Sequence, residues 1–105
     1  MSDGRVLLVR GDDLPRVVVD IAYEDGFPAD LVGLSGAVMH FKEFGSNTVL
    51  STVTCDLDVV GSSVSFDFSG GVLDVPAGEY RGEIELTING LKQTLYNMLK
   101  FKVRE

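Results

Sequence analysis

Three carboxylates stand close together in the stretch AYEDGFPADLVG, residues 22–33: Glu24, Asp25 and Asp30. Ca²⁺ takes six to eight oxygen ligands, and turns that gather several carboxylates at one end of a fold could supply them. Asp12, Asp13, Asp56, Asp58 and Asp74 lie in other turn-rich stretches and would join the set if those turns converge. No stretch, however, has the D-x-[DN]-x-[DN]-G spacing that preorganises a calcium loop. Glu24, Asp25 and Asp30 also each lie near a glycine or proline, and Asp is favoured in turns because its side chain bonds the nearby backbone. Turn chemistry is therefore the expectation here, and no metal or cofactor is assigned.

The remaining reactive side chains are few. His40 is the single histidine, so any histidine-based proton transfer or nucleophile activation would have to run through it, and its neighbour Lys42 shares its outward parity. A solvated or interface histidine is the expectation. Cys55 is the single cysteine, which excludes an internal disulfide and reads as a small, buried or half-buried apolar residue. The glycine-rich GLSGAV at 33–38 lacks the lysine and following helix of a phosphate loop. No pair of carboxylates is nominated as acid and base, so an enzyme is not expected.

Composition narrows the partners. The chain has 105 residues, 45% of them hydrophobic and 24% charged, with a net charge of −7. One domain, residues 1–105, is expected to bury roughly 60–70% of the surface the unfolded chain exposes. The nine basic residues are scattered along the sequence, so nucleic acid is not an expected partner. Apolar runs such as VLLV at 6–9 fall far short of the ~20 residues that span a bilayer, and MSDGRV lacks a signal-peptide layout. A soluble protein made in the cytoplasm, with no membrane partner, is the expectation.

Turn-rich stretches punctuate the chain, and short segments rich in Val, Ile, Thr, Phe and Tyr lie between them, the pattern of an all-β sandwich or barrel. RVVVDIAY alternates Val17, Val19, Ile21 and Tyr23 on one face; GAVMHFK groups Ala37, Met39 and Phe41; SVSFDF groups Val64, Phe66 and Phe68. The strongest signal is EYRGEIELTINGLKQTLYNMLKFKVR. Its Asn89-Gly90 pair predicts a two-residue type I′ hairpin. Continued along both arms, that turn sets Ile84 opposite Leu95, Tyr80 opposite Leu99 and Glu79 opposite Lys100. A helix through Leu91, Leu95 and Leu99 competes, but the turn pair and the FKV ending favour the strand. RVLLV is either an extra strand at a sheet edge or one shared with a neighbouring subunit.

The count and spacing predict an immunoglobulin-like antiparallel β-sandwich of about 7–8 strands. Tyr80, in DVPAGEYRG, stands at the tyrosine-corner position before the last hairpin, and Gly82 stands where an antibody domain carries its second cysteine. With no tryptophan either, the core must be held by aliphatic and Phe packing. Outward apolar residues Val18, Leu50, Tyr96 and Met98 are the candidate interface.

Nearly the whole chain resembles the immunoglobulin-like N-terminal domain of phage baseplate upper proteins. The resemblance runs through RGDDLPRVVVDI, EDGFPADLVGLSGAVMHFK, SSVSFDF, DVPAGEYRGEIELTINGLKQTL and LKFKV, and its motifs are mainly turns. It implies a non-enzymatic bacteriophage structural protein of the tail, baseplate, fibre or head surface, located in the virion. Such a protein would dock other virion structural proteins through sandwich edges and loops, and would form a homo-oligomer. The alternative is a glycan- or receptor-binding module on a particle or cell surface, with Tyr23 and Phe27 among its loop residues.

Overall fold

The structure, a computed structural model, describes residues 5–23, 25–95 and 98–105. Among these residues the chain is all β, with nine strands: β1 (Arg5–Val9), β2 (Arg16–Asp20), β3 (Leu34–Glu43), β4 (Val49–Thr54), β5 (Asp56–Asp58), β6 (Ser63–Asp67), β7 (Gly78–Ile88), β8 (Leu91–Thr94) and β9 (Leu99–Arg104). They form two sheets. One runs β1-β9-β7-β3-β4, with β8 also on β7; the other runs β2-β6-β5.

In immunoglobulin terms β3, β7 and the β8–β9 arm take the places of strands C, F and G, β4 that of C′, and β2, β6 and β5 those of B, E and D. The count exceeds the expected 7–8 because the return arm of the last hairpin is broken into two strands and because Asp56–Asp58 adds a three-residue edge strand. One pair departs from the antiparallel pattern: β1 runs parallel to β9, from Arg5 beside Lys100 to Val9 beside Arg104. RVLLV is thus an edge strand of its own chain.

The period-2 alternations turn into the core. Ala37, Met39 and Phe41 from β3, Tyr80, Ile84 and Leu86 from β7, and Phe101 and Val103 from β9 are buried against Val64, Phe66 and Phe68 of the other sheet. Phe68 is the hub. Its ring lies edge-on to Phe66 and to Phe101, at 5.6 Å in each case, while Phe41 stacks on Tyr80 at 5.1 Å. These geometries suit the ring quadrupoles, and this cluster stands where a disulfide and tryptophan pin other sandwiches. Gly82 faces the core directly: a Cβ there would come within 2.8 Å of both Met39 Sδ and Phe101 Cε2.

The hairpin forms at Asn89-Gly90, both residues having positive φ (51° and 80°), as a type I′ turn requires. The expected register holds as far as Glu85 opposite Thr94, and Leu95 N donates to Ile84 O at 2.8 Å. It does not hold beyond. Gly82 faces Leu99, Tyr80 faces Phe101 and Glu79 faces Lys102, so the return arm spends two more residues than β7 over this stretch. An even slip keeps every side chain on its face, which is why alternation alone could not reveal it. Tyr23 is the other departure: it leaves the inward series of β2 and is half exposed.

Candidate interaction surface

Three connections meet at one end of the sandwich: β2–β3 (21–33), β5–β6 (59–62) and β7–β8 (89–90). The first is tied down by its own polar groups. Asp25 Oδ1 accepts from Phe27 N and Asp30 Oδ1 from Val32 N, each at 3.0 Å, while Tyr23 Oη accepts from Asp30 N. Tyr23 N donates to Phe27 O, and Gly26, at φ 90°, closes that turn. Asp25 and Asp30 therefore perform the turn chemistry their spacing suggested; Glu24 lies outside the described residues. Among the described residues no three His, Cys, Asp or Glu side chains gather in a way that could hold a metal ion.

The three connections are also tied to one another. Ile21 N donates to Ser62 O, and Ser62 Oγ returns the bond to Ala29 O at 2.6 Å. Asn89 N donates to Gly33 O at 3.0 Å, and Gly33 has no room for a side chain beside the Asn89 amide. Asp58 Oδ1 accepts from Gly61 N and closes the β5–β6 turn. On this fixed frame stand large apolar side chains in water: Val60 is 99% exposed, Val32 72% and Phe27 69%, with exposed Tyr23 in the first connection and exposed Leu91 at the start of β8. Singly exposed hydrophobes are ordinary; several on one end of so small a domain make it the candidate contact surface.

Charge at this end is mainly negative, Lys92 beside Leu91 being a cation there and pairing with Glu85 at 3.9 Å. Neither residues 17–41 nor residues 43–80 contain a Lys or Arg, so Asp25, Asp30 and Asp58 have no cation nearby in sequence, and Asp20 stands at the far end of β2 from Arg16. The opposite sign collects elsewhere. On the outer face of the β1–β9 pair, Arg5 lies beside Lys100, exposed Leu7 beside Lys102, and Val9 beside Arg104, with Arg81 of β7 opposite Lys100. Arg5 pairs with Glu79, whereas Lys100 and Lys102 make no ion pair among the described residues. The basic residues that look scattered in sequence are thus brought side by side by strand neighbours.

The outward residues singled out from alternation do not converge. Val18 lies on the outer face of the three-stranded sheet; Leu50 is the extra residue of a β-bulge, between Ser51 opposite Phe41 and Val49 opposite Lys42. Met98 packs at the β8–β9 break, its Sδ 3.1 Å from Arg81 Nη1, and Tyr96 lies outside the described residues. Val32 and Val60 stand in turns, where alternation has no reach, and Leu91, which the parity of the return strand sets inward, is 74% exposed at the hairpin tip. The signal that could have found them is an apolar residue next to a turn glycine, as in Val32-Gly33, Val60-Gly61 and Gly90-Leu91.

His40 occupies the outer face of β3, its Nδ1 3.4 Å from Thr52 Oγ1 and its Nε2 3.9 Å from Glu85 Oε2. Beside it Lys42 pairs with Glu83, whose carboxyl the Lys42 hydrogen bond holds below its ordinary range. Cys55 is buried where the chain crosses from β4 to β5, and desolvation, with a smaller contribution from the Asp56 charge, raises its thiol to about 11. That thiol is protonated and inert at neutral pH. Compared with known proteins, the chain matches no protein-family model and no curated protein.

Proposed function

We propose that the protein is a non-enzymatic docking module of a bacteriophage particle, a small sandwich in the tail, baseplate, fibre or head surface that engages other virion proteins. The observation that carries the docking part is the loop end, where exposed Phe27, Val32 and Val60 stand on connections fixed by Asx and backbone hydrogen bonds. A preordered apolar surface loses little entropy on binding, so its burial goes into affinity. The virion part rests on the resemblance of the turn motifs to the phage baseplate domain, and it implies synthesis in the host cytoplasm and presence in several copies.

Mass spectrometry of purified particles, with heads and tails separated, tests this reading. The protein is expected in one fraction at a fixed stoichiometry to a neighbour that crosslinks to the β2–β3 connection. Its absence from both fractions would sink the virion assignment.

Exposed Tyr23 and Phe27 favour a second reading, a glycan- or receptor-binding module, because aromatic faces in water stack on sugars. Binding on a glycan array that Phe27→Ala abolishes would select it over the first.

A further inference from the structure

We infer that the loop end is built to seat on the β1–β9 face of a second copy of the same chain, giving a head-to-tail contact. The inference rests on the docking reading and names its partner. Two surfaces of this one molecule are complementary in both properties that govern association. The loop end carries Phe27, Val32 and Val60 among Asp20, Asp25, Asp30 and Asp58. The β1–β9 face carries Leu7, 76% exposed, among Arg5, Lys100, Lys102 and Arg104, with Glu79 at its margin opposite Lys102 and paired with Arg5. Beside Leu7 a depression of about 340 Å³, lined by Leu7, Leu8, Val9, Lys102 and Arg104, can receive an apolar side chain.

Like surfaces repel in this molecule. Two loop ends would bring carboxylates together, and two β1–β9 faces would bring cations together, so a two-fold contact through either is opposed. Loop end on β1–β9 face has the favourable sign, with apolar groups from both sides at its middle. Because the two patches lie on different parts of one chain, the contact is heterologous, and repetition generates a ring if the rotation closes and a filament if it does not. The other edges are poorer receivers: β4 carries the Leu50 bulge, β5 is three residues long with an aspartate at each end, and β2 has one cation, Arg16, already paired with Asp56 and Asp67, and ends on Asp20.

Sedimentation velocity on the full chain over a range of concentration and salt tests the contact. Wild-type protein is expected to self-associate, and less so as salt shortens the Debye length from ~10 Å at 0.1 M toward ~3 Å at 1 M. Two double variants at exposed positions, Asp20→Lys with Val60→Lys and Leu7→Glu with Lys102→Glu, are each expected to weaken association at least about tenfold, with circular dichroism confirming the native fold. Mixed one to one, they should associate again, because the unaltered loop end of the face variant then meets the unaltered β1–β9 face of the loop-end variant.

Failure of the mixture to recover association would overturn the inference, as would a loop-end variant that associates like wild type. So would monomeric wild-type protein that binds a DNA oligonucleotide through the β1–β9 face. Monomeric protein nevertheless recovered in particles would remove this contact and leave the docking reading intact. If a variant does not fold, Lys102→Glu alone against Val60→Lys alone repeats the test with one charge at each surface.

Discussion

The hydroxyl of Tyr80 donates to the backbone carbonyl of Pro76, four residues upstream, at 2.5 Å, while its ring stacks on Phe41. One side chain thereby fixes the loop entering β7 and fills the core beneath β3. Burial raises the Tyr80 hydroxyl above its ordinary range, so it remains a donor throughout the neutral region. Tyr80→Phe keeps the stacking and removes the bond, leaving the Pro76 carbonyl without this donor. A loss of about 1 kcal/mol is expected, seen as a lower urea midpoint with an unchanged slope.

Gly82 answers a packing demand. Because Met39 and Phe101 occupy the space a Cβ would need, Gly82→Ala should cost about 1–3 kcal/mol by overpacking, measured by chemical denaturation. Pairing Gly82→Ala with Met39→Val should recover part of that loss, since the sulfur that meets the new methyl is removed. A neutral Gly82→Ala would mean that the core is looser than its geometry.

Cys55 should be unreactive toward a thiol reagent at pH 8 in the native protein and react at once in denaturant. Its thiol rises from an ordinary 9.0 to about 11 on folding, so the folded state holds the proton more tightly. The associated stability is fully present below about pH 9 and is lost as pH rises through about 11. Wild type should accordingly lose more stability than Cys55→Ala between those two values, by comparison of their denaturation midpoints.

Lys42 and Glu83 form a partly buried pair between β3 and β7. Its carboxyl is depressed from an ordinary 4.5, so the contribution is present above that value and fades as pH falls through the lower folded value. A double-mutant cycle of Lys42→Met and Glu83→Gln should give a coupling of about 0.5–1 kcal/mol at pH 7, lost in acid.

Local signals carried much of the fold. Asn89-Gly90 fixed the hairpin, alternation fixed the buried faces of β3, β6 and β7, and the spacing of Pro76 and Tyr80 marked the corner. What local signals cannot carry is neighbour identity. Parity is blind to the even slip between β8 and β9, to the choice of β9 as a parallel partner for β1, and to the approach of Arg5, Lys100, Lys102 and Arg104 across two strands. The candidate surface was only half legible for the same reason. Tyr23 and Phe27 could be named from their loop, whereas Val32, Val60 and Leu91 gained meaning only when three connections proved to share one end.

The two-residue slip in the return arm also separates the molecule mechanically. Tyr80 and Phe101 are locked together in one pairing frame, and the Asn89-Gly90 tip belongs to another. Any even change in the length of the return arm keeps its core side chains on the inward face, whereas an odd one turns them all outward.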